Sequence, residues 1–463
     1  MAKSETSKNK PAPALSRAAV ADEIMRIANT FGCMSQVTMV ETLAKDINLR
    51  NGEIEHLLTS TAISTGVRLF KGNKSTIIAF SGEDFGNMEF KIKAALENLP
   101  YHSDNPDLRL LTAAEFGGEE LHLELADGHF DKLDIGKIVE TLKLIELSAL
   151  KFSSKISPAD MAEFSGASTR SYLFTSNGVN KSYDRTSYTF SYTAIAQEGE
   201  NKERDYWMES KRFFIDLPPR KDMGQIGEKA AERALRRLGG EKIPSGQRKV
   251  VFSDRMAGSL LGLLCDALDG EEIVVKNSFL LDKLGQTLFP ENITIVDDPL
   301  LSRYRGSYPF DGEGKNGSTK TVVEKGKLLT YLHNSYSAAK LNMALTGNAS
   351  PSISTVPHIM TGNFYLSGGQ GSLADLLHEM KEGVFVDDLY ISGMNAVTGE
   401  FSFGCAGFLV ENGIITKPVR EITIAGNLLD LYRNLVAIAD DNQWKSSVTS
   451  PSILVSKLNI GGI

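Results

Sequence analysis

The sequence predicts an α+β protein of two domains: an N-terminal α/β domain over 17–239 and a C-terminal β-rich domain over 240–463, after a disordered tail over 1–16. Three observations carry that reading. The 463 residues exceed what a single hydrophobic core organises. Turn dipeptides recur between alternating apolar and polar runs in both halves, while amphipathic helical stretches are isolated, so the strand-then-helix alternation of a doubly wound sheet is absent. A helical stretch over 223–238 stops at Gly239-Gly240 and is followed by Glu-Lys-Ile-Pro-Ser-Gly, a break that suits a domain boundary.

Taken in order, Ser16 precedes a helical stretch whose apolar face is Val20, Ile24, Ile27 and Phe31, with the hydroxyl placed to cap it. Asn51-Gly52 and Gly72-Asn73 each join two alternating runs and predict hairpins. A helix over 88–99 is stopped by Pro100, and 101–120 reads as an acidic, polar loop. Over 134–147, Ile135, Ile138, Val139, Leu142 and Ile145 share one helical face. The chain then turns to β over 151–217, with Asn177-Gly178 as a further turn. Tyr183, Tyr188, Phe190 and Tyr192 form an aromatic stripe there. It reads as a half-buried sheet face rather than a ligand-stacking platform, because aromatics favour strands in any case. Past the boundary come a strand over 249–252, a helix over 256–268, and many short β segments. Their spacing and turn content predict a large, strongly curved antiparallel sheet.

Composition narrows the function. Hydrophobic residues make up 41% and charged residues 23%, ordinary for a globular protein. No apolar run approaches the roughly 18–20 residues of a membrane span, and the first residues lack the apolar core of a secretory signal. With 50 basic and 58 acidic residues the net charge is −8, which disfavours a broad nucleic-acid surface. The densest basic cluster, Arg233, Arg236 and Arg237, reads as a solvated helix face. Cys33, Cys265 and Cys405 are widely spaced and odd in number, so they suggest no disulfide framework and fit a reducing cytoplasm.

Residues 297–350 are the most informative stretch. Asp297, Asp298, Asp311 and Glu313 stand among glycines and prolines in a long specified loop. Two short β runs follow around Lys325-Gly326, then a helical SAAKLNMA ended by Thr346-Gly347-Asn348. The order DDP, GS, P-F-D-x-E-G, x-x-V-x-x-G-x-L-x-x-Y-L, A-A-K, T-G-N-A resembles the TldD/PmbA metalloprotease family, once named modulators of DNA gyrase. A second block agrees: Gly399-Glu400-Phe401-Ser402, then GFLVENGIITKPVREITIAGNLLDLY over 407–432. The resemblance is closer to the PmbA (TldE) branch than to TldD. It spans nearly the whole chain and is strongest over 226–463.

That resemblance implies a subunit of a cytoplasmic TldD–TldE zinc protease that cleaves unfolded or short peptides. In the TldD branch the helix corresponding to 256–268 carries HExxxH, and a C-terminal cysteine completes the zinc ligands. Aligned on Asp269-Gly270, the histidines fall at Leu261 and Asp266 and the glutamate at Gly262; residues 444–452 contain no cysteine. The resemblance therefore implies no catalytic or metal residue in this chain, and zinc in a TldD-like partner.

No other group fills the gap. His378-Glu379 opens HExxE with no second histidine nearby; His122 and His129 flank a predicted strand; His333 and His358 stand alone. Each reads as a structural or solvated residue. Cys405 has no following histidine to act as its base, and like Cys265 it reads as a small buried apolar residue. The acidic loop lacks EF-hand spacing, so turn and anchoring roles are favoured over calcium or magnesium. Its functional reading is one wall of a shared peptide cavity, lined by Asp311, Gly312, Glu313, Gly314, Thr346, Gly347 and Asn348. Their backbone freedom and exposed polar groups would suit a strand-adding peptide. The readings left open are an enzyme in its own right, a non-enzymatic peptide-binding or regulatory module that dimerises with itself when alone, and, against the net charge, a modulator of DNA gyrase.

Overall fold

The computed structural model describes residues 16–82 and 85–463, so the tail expected over 1–16 lies outside them except for Ser16. The Ser16 hydroxyl accepts from Ala19 N and starts α1 (Arg17–Thr30), whose Val20, Ile24 and Ile27 are buried. The turn at Asn51 and Gly52, both at positive φ, joins β1 (Met34–Arg50) to β2 (Glu53–Lys71), and Gly72 turns β2 into β3 (Lys74–Ser81). Helix α2 (Met88–Asn98) ends before Pro100. Asp134 caps α3 (Ile135–Phe152) by accepting from Lys137 N.

The first half is organised by one seven-stranded sheet. To β1–β3 it adds β4 (Ile156–Ser157), β5 (Ala162–Thr175), β6 (Asn180–Glu198) and β7 (Asn201–Lys211) in the order β3-β2-β1-β5-β6-β4, with β7 also on β6; every pairing is antiparallel. Helices α3 and α4 (Gly224–Arg236) pack together, with Gly227 backed directly against the Ile145 carbonyl, where a Cβ would clash. Their buried faces share a core with Tyr188, Phe190 and Tyr192, so three of the four stripe aromatics are interior. Tyr183 lies on the other face of β6 and meets Phe310 edge-on at 5.2 Å. An odd–even step along a strand changes face, which divides the stripe.

The second half contains two sheets. Strand β8 (Gly246–Phe252) leads into α5 (Asp254–Ala267) and the short α6 (Gly270–Val274). A five-stranded sheet holds β9 (Thr294–Asp298), β10 (Lys320–Glu324), β11 (Lys327–Leu328), β12 (Asn363–Ser367) and β17 (Val448–Thr449). Between them in sequence lie α7 (Ser335–Leu341) and α8 (Leu373–Met380). A six-stranded sheet joins β8 to β13 (Gly383–Tyr390), β14 (Glu400–Glu411), β15 (Ile414–Asn427), β16 (Leu435–Ile438) and β18 (Ile453–Gly461), with α9 (Leu428–Arg433) between β15 and β16. Its order is β15-β14-β13-β8-β18-β16. Antiparallel pairing dominates, as expected, with β8–β13 and β12–β17 parallel. One core joins the inner faces of these sheets to α5. Helix α7 ends sooner than its sequence suggests, because Asn342 takes the left-handed conformation at φ 51.

The solvated-face reading is overturned for Arg233 and Arg237, while Arg236 is exposed as expected but ion-paired. Asp387 accepts from Arg233 Nη2 at 2.9 Å and Arg236 Nη2 at 2.7 Å, while Arg237 Nη1 reaches Asp388 at 2.8 Å. Asp205 of β7 lies 3.2 Å from both Arg233 and Arg237. A bulge between Val386 and Asp388 turns Asp387 out of the β13 ladder toward α4. Asp205, Arg237 and Asp387 are buried, Arg236 stays exposed at the edge, and the cluster ties the first half of the chain to the second.

Candidate functional site

Helix α5, on which the sequence predicts no metal ligand, meets the segment over 444–452. Ser253 caps α5 through Met256 N, and the helix buries Leu260, Leu261 and Leu264 in the core. Its other face, through Asp254, Gly258 and Gly262, lines a cavity of about 310 Å³ with Trp444, Lys445 and Thr449. Gly258 packs beside the backbone of 448–450, where a Cβ would make ordinary van der Waals contact.

The donor set does not fit zinc. Leu261 is wholly buried among hydrocarbon, Gly262 has no side chain, Asp266 is exposed, and no cysteine occupies 444–452. The cavity instead presents two cations, Arg255 and Lys445, with Asp254 as its one carboxylate. The Lys445 amine sits 3.3 Å from the Trp207 ring centroid and 3.5 Å from Glu209, and burial pushes its pKa down to about 8. An ammonium at that position repels a dication. Among the described residues no three His, Cys, Asp or Glu side chains converge to hold a metal ion. Lys445, Trp207 and Arg255 form no sequence motif: they come from strand, helix and loop far apart in the chain, which is why the sequence did not point to them.

The acidic loop is interior, not exposed. Asp297 accepts from Gly362 N at 2.6 Å and Asn348 Nδ2 at 2.8 Å, and pairs with Lys320 at 3.1 Å. Asp311 accepts from the backbone N–H groups of Glu313, Lys315 and Ala349. Glu313 accepts from Ser335 N and Oγ at 2.8 and 2.6 Å and faces Arg68 of β2 at 3.9 Å. Gly312 accepts from Gln36 of β1, and Gly314, at φ +92, accepts from Lys181 of β6. Thr346 exchanges hydrogen bonds with the His333 backbone, and the Gly347 carbonyl accepts from the Tyr308 hydroxyl. The structure thus brings the 311–314 and 346–348 segments together, as the sequence suggested, but with their polar groups turned inward. The expectation of exposed polar groups at Asp311, Gly312, Glu313, Gly314, Thr346, Gly347 and Asn348 is therefore corrected: all seven are buried. Burial, with Glu313 alongside, pushes Asp311 up to about 7; Glu313 is likewise raised by burial, against the pull of Arg68.

The other candidates are accounted for locally. His122 is exposed, and no strand forms between it and His129, which hydrogen-bonds Asp127. His333 is buried with Nδ1 3.2 Å from Ser337 Oγ, and burial lowers its pKa to about 4. His358 pairs with Glu271 at 3.1 Å, and His378 lies on the exposed face of α8. Burial pushes the Cys405 thiol up to about 12 and raises Cys265 further still, so neither carries a thiolate.

The chain is α+β, and α5 meets residues 448–450 with no set of metal ligands among the described residues. Comparison with known proteins agrees with that fold. The model of the PmbA/TldA metallopeptidase central domain matches 128–238, and that of the C-terminal domain matches 245–462. A metalloprotease PmbA homolog of Haemophilus influenzae is 31% identical over 438 residues, covering 95% of this chain and 94% of that protein. Metalloprotease PmbA of Escherichia coli O157:H7 is 29% identical, covering 92% of each chain. A Bacteroides thetaiotaomicron structure, described as a candidate modulator of DNA gyrase, superposes with a TM-score of 0.87 at 28% identity, over 96% of this chain and 99% of that one. TldE from Thermococcus kodakarensis shares the fold, with a TM-score of 0.82 at 18% identity over 96% and 100% of the two chains. The chain belongs to the PmbA/TldD metallopeptidase family.

Proposed function

We propose that this chain is the PmbA/TldE-like subunit of a cytoplasmic TldD–TldE metalloprotease acting on unfolded or short peptides, with the zinc carried by a TldD-like partner. One observation carries the reading. In a chain related over 95% of its length to a metalloprotease homolog, α5 carries Leu261 in the core and Gly262 with no side chain, and the cavity beside it is lined by the cations Arg255 and Lys445. The chain's own task is structural. It forms a wall of the shared cavity, and the buried network of Asp297, Asp311 and Glu313 holds that wall's shape. Three free cysteines, two of them buried, suit a reducing compartment.

The test is a peptide-cleavage assay on this chain, on a zinc-bearing TldD-like subunit from the same cell, and on the two mixed. Cleavage by the mixture alone supports the reading. Robust cleavage by this chain alone refutes it. Stable peptide binding with no cleavage in any mixture indicates a non-enzymatic binding module instead.

A further inference from the structure

A second cavity, of about 360 Å³, lies in the first half of the chain, away from α5. Its walls are apolar: Phe190 of β6, Ile138 of α3, and Phe214, Leu217 and Met223 from the segment leading into α4. Phe214 stands 6.4 Å from Phe190 and near-perpendicular to it, and its own ring is 38% exposed. The next residue, Ile215, is 83% exposed, so apolar surface is left in water beside an apolar slot.

The rim has the opposite character. Lys132, Lys137 and Arg220 surround the opening, and Asp134 is the only acid lining it. Lys137 is 3.8 Å from Asp134, Arg220 pairs with Glu140 at 2.8 Å, and Lys132 has no ion-pair partner among the described residues. His129 is turned to Asp127. A net-positive rim on a chain of net charge −8 is a local exception.

We propose that this slot is a binding site for a small amphipathic carboxylate: a short apolar body held between Phe190, Phe214 and Leu217, and one carboxylate at Lys132 and Lys137. The volume sits at the small end of ligand pockets, roughly 300–1,000 Å³, so the body is a short alkyl chain or a single ring rather than a long lipid. The apolar walls supply affinity, and the lysines select an anion over a neutral or cationic analogue. This site is independent of the protease reading, since none of its residues lines the α5 cavity.

The experiment is calorimetric titration of the full chain with octanoate, octanol, octylamine and N-acetyl-leucine. Saturable one-to-one octanoate binding is expected, with octanol about tenfold weaker and octylamine not binding. The charge-reversed variant Lys132→Glu/Lys137→Glu, at exposed positions, should weaken octanoate at least about tenfold and leave octanol and the Tm unchanged. Leu217→Trp, which fills the slot, should weaken both. No saturable octanoate binding up to millimolar concentration overturns the proposal, as does equal binding of octanol or an unaffected charge-reversed variant. N-acetyl-leucine also carries one carboxylate on a short apolar body, so its saturable binding, weakened in the charge-reversed variant, supports the proposal.

Discussion

Removing the Asp387 carboxylate should destabilise the protein by an amount that reveals whether its halves unfold together. Asp387 is 2% exposed and faces Arg233 and Arg236 across the two halves. Deleting one partner of a buried ion pair costs about 3–5 kcal/mol, because the surviving charges stay buried without compensation. The unfolding entropy is about 2.1 cal/mol/K per residue. If all 463 residues unfold as one unit, the Tm of Asp387→Ala should fall by about 3–5 °C. If the half containing Asp387 unfolds by itself, the same loss should lower its transition by about 6–11 °C. Differential scanning calorimetry reads both the size of the shift and the number of transitions. Burial alone would raise the Asp387 pKa, but Arg233, then Arg236, Arg255 and Arg237, outweigh it and lower it. A depressed carboxyl stabilises above its ordinary pKa, and that stabilisation is lost as pH falls through the folded value. The deficit should therefore be full at neutral pH and shrink only below about pH 4. Removing Arg236 as well should restore part of it, since the two share one interaction. A shift under one degree, or two losses that simply add, would refute the account.

His333 is held neutral by burial with a pKa near 4, so its folded value lies below its unfolded one. The unfolded chain then binds more protons between about pH 4 and 6.5, and stability should fall by about 3 kcal/mol as pH drops through that window. His333→Gln should flatten this limb in chemical denaturation at stepped pH. Gly312→Ala should lower the Tm sharply or prevent folding, because its Cβ would overlap the Ser350 carbonyl; overpacking of this kind costs about 1–3 kcal/mol or more. Elemental analysis after dialysis against a weak chelator should find well under one zinc per chain, given Leu261 and Gly262 on α5.

Much of this was legible in the sequence, for identifiable reasons. Turns that need positive φ announce themselves as Asn-Gly, so the Asn51 and Asn177 turns fell where the dipeptides stand. Helical faces show in spacing, so α1, α3 and α4 were placed within a few residues. Of the three motif positions only Gly262 lines the α5 cavity; Leu261 faces the core and Asp266 is exposed. What covers a face was not legible. Arg233, Arg236 and Arg237 have the spacing of a solvated stripe, and only β7 and β13 folding over Arg233 and Arg237 takes those two out of solvent. The same holds for Asp311 and Glu313: a loop rich in glycine and acid looks exposed until Gln36, Arg68 and Lys181 arrive from strands more than a hundred residues away. Lys445 and Trp207 are joined only by tertiary packing, which local pattern cannot encode.

The place of β18 in its sheet has a consequence for synthesis. It lies between β8 and β16, so β8 has no neighbour on that side until the end of the chain is made. About 200 residues separate β8 from β18, and at 5–20 residues per second the ribosome takes about 10–40 s to span them. Throughout that interval the nascent chain carries an open, Val-rich strand edge, the kind of surface that chaperones hold and that aggregation exploits. Strand β18 therefore completes the six-stranded sheet, and growth conditions that slow elongation should lengthen the time during which newborn chains need protection.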